Sequence, residues 1–246
     1  MSVERRLLSI REEGRAVVFG LVDPAKGELS RRAARNASEA GVDAFLVGGS
    51  TAVDRESLDE VIEELRSLSG APIILFPGNV NGLTPKADAV LFMSLLNSED
   101  PYYIIGAQVQ GAPLIRKYGL EALPTAYLVL HGDSAVSHVG RARELPPGRP
   151  ELVAMYAMAA WMLGMRFLYL EGGSGSSRHV EPEAVSAARS VHGGFIIAGG
   201  GLRTPEAVSA VVSAGADGIV LGTALETMGP EDLRALVGPA RRGRSR

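Results

Sequence analysis

The stretch GFIIAGGGLRTPEAVSAVVSAGADGIVLGT runs from Gly194 to Thr223. It holds two apolar runs, each closed by glycine, on either side of a segment with helix signals. Thr204 suits an N-cap, Pro205 the first helical position and Gly215 the stop. Strand, capped helix and strand make a βαβ unit, whose right-handed crossover sets the two strands parallel. Six more runs precede it: AVVFGLVD (16–23), AFLVGG (44–49), PIILFPG (72–78), AVLFMSLL (89–96), TAYLVLHG (125–132) and RFLYLEGG (166–173). Several are continuously apolar, as strands buried on both faces of a parallel sheet are. Between them lie amphipathic segments such as RESLDEVIEELRSLSG (55–70), and Pro182 and Glu183 open another at EAVSAARSV. Eight strand–helix alternations in 246 residues match one (β/α)8 barrel, which takes about 250 residues. The expected fold class is therefore α/β, a single TIM barrel over residues 1–246, with the Pro-rich 142–150 too short for a linker. An open doubly wound sheet is the structural alternative, because periodicity does not distinguish closure from openness.

Composition narrows the function classes. With 46% hydrophobic and 22% charged residues the chain can build and solubilise a core. A formal net charge of -3 gives no electrostatic footprint for nucleic acid. The absence of cysteine removes disulfides, thiolate metal sites and cysteine nucleophiles, and fits a cytoplasmic location. The first residues lack the apolar core of a signal peptide. The most apolar stretch, 155–170, is interrupted by Arg166 and is too short to span a bilayer, so a short helix followed by a strand is expected there. The tail RRGRSR reads as solvated, or as weakly attracted to anionic lipid.

Chemistry in such a barrel sits at the C-terminal ends of strands. The seventh run ends in Gly199-Gly200-Gly201 before the cap at Thr204, and the eighth ends in Gly222-Thr223. Glycine loops after strands 7 and 8 form a phosphate site from backbone N–H groups, without needing Lys or Arg. Each alone would read as a tight turn. The sixth run ends in Tyr169-Leu170-Glu171-Gly172-Gly173-Ser174-Gly175, where Glu171 stands at the strand exit, either beside a ligand or solvated on a loop. The first ends in Asp23-Pro24-Ala25-Lys26 and the second in Gly48-Gly49-Ser50-Thr51. Asp23 with a hydroxyl is a sparse Mg²⁺ site that substrate phosphate would complete; the competing reading has Asp23 capping the next turn. Lys26 reads equally as a diphosphate contact or a surface lysine. His131, His138, His179 and His192 form no close ligand pair and no HExxH occurs, so zinc is not expected; no GxSxG is present either. The residues alone point to chemistry on phosphorylated small molecules and stop there.

The segments FGLVDPAK, FLVGGST, ILFPGNVNG, LFMSLLNSEDPYYIIGAQ, MRFLYLEGGSG, IIAGGGLRTPE and GIVLGTALE, in order over nearly the whole chain, resemble the geranylgeranylglyceryl phosphate synthase family, with its bacterial heptaprenylglyceryl phosphate synthase relative. The resemblance implies a Mg²⁺-dependent prenyltransferase that joins sn-glycerol 1-phosphate to a polyprenyl diphosphate, geranylgeranyl by the family's name. An ether-lipid precursor forms and diphosphate leaves. By similarity, Tyr169, Leu170, Glu171, Gly172, Gly173, Ser174, Gly175, Gly200, Gly201, Gly222 and Thr223 would hold glycerol phosphate, and Asp23 and Ser50 would hold Mg²⁺. Glu171 would orient the glycerol hydroxyl and take its proton. Leu95, Tyr102, Tyr103 and Ile104 are candidates for the prenyl groove, with core burial as the competing reading. Two departures stand out: Ala25, where the family commonly carries a second acid, and HGDSAVSHVGRAREL (131–145), which differs from the family's Gly-rich wording. The family implies a homo-oligomer, dimer or hexamer, to which the apolar MYAMAAWMLGM (155–165) could contribute, and peripheral membrane contact through the lipid product. Other phosphate-barrel enzymes of sugar-phosphate metabolism, and a non-catalytic phosphometabolite-binding barrel, are the alternative functions.

Overall fold

In the computed structural model, which describes residues 1–49, 54–173 and 178–243, the eight apolar runs are eight parallel strands. They are β1 Val17–Val22, β2 Ala44–Val47, β3 Ile73–Leu75, β4 Ala89–Leu95, β5 Glu121–Val129, β6 Phe167–Glu171, β7 Phe195–Gly199 and β8 Gly218–Leu221. Each pairs with the next, and β1 pairs with β8 in the register Phe19 to Val220, so the sheet closes and the open alternative is excluded. The helices are α1 Val3–Glu12, α2 Glu28–Ala40, α3 Arg55–Leu68, α4 Ala107–Tyr118, α5 Ala135–Val139, α6 Pro150–Met162, α7 Pro182–Arg189, α8 Pro205–Ser213, α9 Thr223–Thr227 and α10 Pro230–Arg242. At the N-terminus of α8, Thr204 accepts the N–H of Ala207 at 3.2 Å, as its sequence predicts.

Strand alternation divides the interior into two layers. Phe19, Leu46, Leu91, Tyr127, Phe167, Tyr169 and Phe195 fill the barrel, together with Leu7 and Ile10 of α1, which closes its N-terminal face. Val18, Phe45, Leu128, Leu170 and Ile196 point the other way, into the layer under the helices.

Two features escape the hydrophobic pattern. The connection from β3 to β4 carries only a 3₁₀ turn, Val80–Gly82, in place of a helix. Its sequence GNVNGLTPKAD is built of turn formers and offers no helical apolar stripe. The outer face of β4 is thereby left open beside α4. At the opposite end, Asp43, Asp88 and Asp217 each stand one residue before an even-numbered strand. Each accepts an N–H from the beginning of the strand before it: Val18 at 2.9 Å, Ile73 at 2.8 Å and Ile196 at 2.8 Å. Strand edges that would otherwise present a bare donor at the barrel floor are satisfied by this repeated device.

Among the described residues no helix is long and apolar enough to cross a membrane. The apolar stretch at 155–170 is the end of α6 followed by β6.

Candidate functional site

Two cavities open at the C-terminal face and meet. The smaller, about 40 Å³, is bounded by Tyr169, Glu171, Gly200, Gly201, Arg203 and Thr223. The larger, about 170 Å³, starts from Asp23, Lys26 and Glu226 and runs along β4 beneath α4, past Phe76, Leu83, Phe92 and Ile115. Leu21, Glu171, Gly222 and Thr223 border both.

Glu171 stands at this junction because it ends β6 on the inward-facing side of the strand. It is 5% exposed. Its Oε1 accepts the N–H of Gly173 at 2.6 Å and its Oε2 accepts the hydroxyl of Tyr127 at 3.0 Å; Tyr169 is a further hydroxyl partner. Burial raises the carboxyl above the ordinary glutamate range, and the three donors pull it partway back. Burial, with the facing carboxylate, holds both tyrosine hydroxyls well above their ordinary range, so they remain donors. The rings are mutually braced: Tyr169 stacks on Phe76 with centroids 5.4 Å apart, and Tyr127 meets Tyr169 edge-on at 5.0 Å. A carboxylate so placed has a fixed orientation, an elevated proton affinity and, with three donors on about four acceptor sites, about one site left for a ligand.

The glycines of β7 and β8 differ in what they permit. Gly200 has φ +86°, and a Cβ there would lie 2.6 Å from both Glu171 Oε1 and the Gly173 nitrogen. Glycine is thus required by backbone conformation and by the approach of two loops. At Gly222 a Cβ would find Leu21 nearest, at an ordinary 3.4 Å, and Gly222 precedes the short helix α9. A strand-8 loop running into a short extra helix, beside the strand-7 glycines, is the barrel arrangement suited to a phosphate.

The remaining expected residues distribute unevenly. Tyr169, Glu171, Gly200, Gly201, Gly222 and Thr223 line the small cavity. Leu170 does not: alternation along β6 turns it outward under the helices. The Gly172 N–H is committed to the carbonyl of Gly199, and the Gly173 N–H to Glu171. Ser174, Gly175 and Ser50 lie outside the described residues. Leu95 and Tyr103 line the large cavity; Tyr102 instead donates its hydroxyl to Asn79 at 2.6 Å, and the Ile104 carbonyl accepts from Ser94. Residues 102–106 form a π-helical turn, which breaks the spacing on which a helical face would be read. The unusual segment 131–145 forms α5, which sets Val136 and Val139 against the large cavity.

Asp23 combines both of its sequence readings. It caps the 3₁₀ turn Pro24–Lys26, Oδ1 accepting the Ala25 N–H at 3.0 Å, and it also lines the large cavity. A Cβ on Gly49 would lie 2.5 Å from either carboxylate oxygen, so a glycine is needed for Asp23 to lie flat against the second loop. Burial is the main influence on its carboxyl and raises it. No cluster of three or more acidic or histidine side chains able to hold a metal occurs among the described residues. One hard carboxylate at a cavity mouth nevertheless fits Mg²⁺ that keeps waters and arrives with substrate phosphate oxygens.

Sequence reading missed Tyr127, Arg203 and Glu226. Glu226, on α9, ion-pairs with Lys26 at 2.6 Å across 200 residues of chain. Tyr127 sits mid-strand in an apolar run, where nothing marks its hydroxyl as pointing at Glu171.

Fold and site together define a (β/α)8 barrel with a small cavity at the glycine loops after β7 and β8 that opens onto a larger, mainly apolar one. Comparison with known proteins places it further: residues 9–238 match the PcrB family model, and the chain belongs to that family. It is 47% identical over 233 residues to geranylgeranylglyceryl phosphate synthase of Cenarchaeum symbiosum, covering 94% of each chain. The Sulfolobus acidocaldarius enzyme of the same name is 44% identical over 228 residues, covering 91% of this chain and 88% of that one. Among solved structures, (S)-3-O-geranylgeranylglyceryl phosphate synthase from Thermoplasma acidophilum, crystallised with its substrate sn-glycerol-1-phosphate, superposes with a TM-score of 0.91 at 38% identity, covering 98% of this chain and 99% of that one.

Proposed function

We propose that the protein transfers a polyprenyl group, geranylgeranyl in the first instance, from its diphosphate to the 3-hydroxyl of sn-glycerol 1-phosphate. The observation that carries this is the meeting of the two cavities at one buried carboxylate, Glu171. One cavity is bordered by the glycine loops after β7 and β8, which suit a phosphate, and the other has mainly apolar walls, which suit a polyprenyl chain. Family membership and the named relatives support the same reading.

The chain's residues divide the reaction among themselves. The loops at Gly200, Gly201, Gly222 and Thr223 hold the phosphate of glycerol phosphate, which brings the 3-hydroxyl toward Glu171. The C1–O bond of the allylic diphosphate breaks with its electron pair leaving on diphosphate, and the glycerol oxygen forms the new C–O bond at C1. Glu171, kept in one orientation by Gly173, Tyr127 and Tyr169, accepts the hydroxyl proton. Asp23, with Ser50, would hold Mg²⁺, which supplies charge neutralisation for the departing diphosphate when bound. Walls such as Phe92 and Ile115 give the prenyl tail an apolar surface to pack against. Self-association belongs to the same reading: Met155, Met162 and Leu163 at α6 are 64%, 78% and 69% exposed, an apolar patch a second copy would cover.

The test incubates the purified protein with labelled sn-glycerol 1-phosphate, Mg²⁺ and a ladder of prenyl diphosphates. A labelled ether lipid and free diphosphate are expected, and none without Mg²⁺. Consumption of glycerol phosphate without any prenyl diphosphate, or no product across the ladder, would overturn the reading. Light scattering on the same preparation gives the mass of the assembly; a monomer would remove the proposed self-association.

A further inference from the structure

Three charged side chains share the mouth of the large cavity: Asp23, Lys26 and Glu226. Lys26 follows Asp23 by three residues on the same turn, and the Asp23 carboxyl feels both neighbours, the Lys26 ammonium lowering it and the Glu226 carboxylate raising it. Left to itself, an ammonium so tethered would settle on the Asp23 carboxylate and compete with a cation for it. Lys26 is instead held from the other side, its Nζ 2.6 Å from Glu226 Oε1. The Glu226 side chain is only 10% exposed, against 34% for Lys26, so the glutamate is the more buried partner and the lysine the more exposed one. Glu226 is itself fixed by α9, whose neighbour Leu225 is fully buried and offers its carbonyl to Asn36 of α2. A near-buried carboxylate carries a desolvation cost that stability alone does not call for.

We propose that Glu226 is a positioning residue that draws Lys26 away from Asp23 and so keeps the Asp23 carboxylate available to a divalent cation. This rests on the assignment of Asp23 as a cation ligand. Glu226 then acts through Lys26: its removal harms cation binding because the freed ammonium moves onto Asp23. In a chain with Ala25 rather than an acid on the Asp23 turn, α9 supplies the carboxylate that occupies the lysine.

A double-mutant cycle tests it, with Mn²⁺ alone as the probe and the electron paramagnetic resonance signal of free Mn²⁺ as the readout. E226Q is expected to weaken Mn²⁺ binding roughly three- to fivefold, the upper end of the scale of a partly exposed ion pair gained by Asp23. In the K26Q background the same substitution is expected to change binding by less than about twofold, since no ammonium remains to be released. An equal loss in both backgrounds, as through-space charge or direct ligation by Glu226 would give, overturns the proposal while leaving the cation site standing. Wild-type binding that is not saturable, or that survives Asp23→Asn unchanged, removes the cation assignment and the proposal with it. If E226Q does not fold, Glu226→Asp, which retracts the carboxylate by one methylene, replaces it in the same cycle with the same expected pattern.

Discussion

The base role proposed for Glu171 and its place in the fold are separated by replacing a single atom. Glu171→Gln keeps the acceptor for the Gly173 N–H and can still meet the tyrosine hydroxyls, which accept as well as donate. It loses the base, so single-turnover transfer is expected to fall by about 10²–10⁴, with glycerol phosphate affinity changed far less. Near-normal turnover would leave Glu171 an orienting group only. Stability runs the other way. Because burial raises the folded carboxyl above its ordinary value, the native state holds this proton more tightly than the unfolded chain does. Stability attributable to Glu171 is therefore full below the unfolded glutamate range and is lost as pH rises through the folded value. The melting temperature of Glu171→Gln relative to wild type should climb across that window and level off above it; a gap independent of pH would contradict the raised carboxyl. At Gly200 the backbone is the argument. Gly200→Ala places a methyl group 2.6 Å from Glu171 at positive φ, and is expected to destabilise by about 1–3 kcal/mol and raise the Michaelis constant for glycerol phosphate severalfold. At Gly222 the nearest neighbour of an added Cβ is Leu21, at 3.4 Å, so Gly222→Ala should fold as wild type and report on the junction of the two cavities, which Gly222 borders on both sides.

Elements that obey one periodicity were legible, and elements defined by what they lack were not. All eight strands stand out as apolar runs because burial on both faces of a closed parallel sheet demands them. The cap at Thr204 and the glycines after β7 and β8 were readable for the same local reason. The helix missing between β3 and β4 leaves only a turn-rich stretch, and the cavity it opens depends on β4, α4 and α5 converging from three parts of the chain. Lys26 and Glu226 meet across 200 residues, so no spacing rule announces them. Beside that open wall, α4 offers a test of chain length. A Cβ on Gly111 would sit 3.5 Å from Leu83 and 3.8 Å from Val80, contacts a methyl group tolerates and an aromatic ring does not. Gly111→Phe should fill this part of the channel and shift the preferred substrate to a shorter prenyl diphosphate, read from products on a mixed ladder. An unchanged preference would mean that the chain leaves the barrel by another path.

At the scale of the molecule the two ends of the barrel carry different duties, chemistry at the C-terminal face and closure at the N-terminal one. Asp217 is the centre of the closed end. It is fully buried, its carboxylate pairs with Arg11 of α1 at 3.2 Å and with Arg189 of α7, and it accepts the N–H of Ile196 at 2.8 Å. One side chain thus ties the lid helix, a wall helix and β7 together. Arg11 also donates to the Gly194 carbonyl, while Arg166 joins Glu4 through two hydrogen bonds of 2.6 and 2.8 Å, so α1 is fastened at both ends. Asp217→Asn keeps the shape and the bond to Ile196 but leaves two guanidinium groups facing a neutral amide. Removing one member of a buried ionic cluster costs about 3–5 kcal/mol. For a chain of this length that corresponds to a fall of roughly 6–20 °C in melting temperature. Turnover measured well below the transition should be nearly that of wild type, because no residue of this cluster borders either cavity. A variant that melts normally would show that the Asp217 ion pairs add little to the apolar burial of Leu7 and Ile10 and to the Glu4–Arg166 pair. One that is stable but slow would mean that strain at the floor reaches Glu171 through β6 and β7, against the division of labour between the two faces.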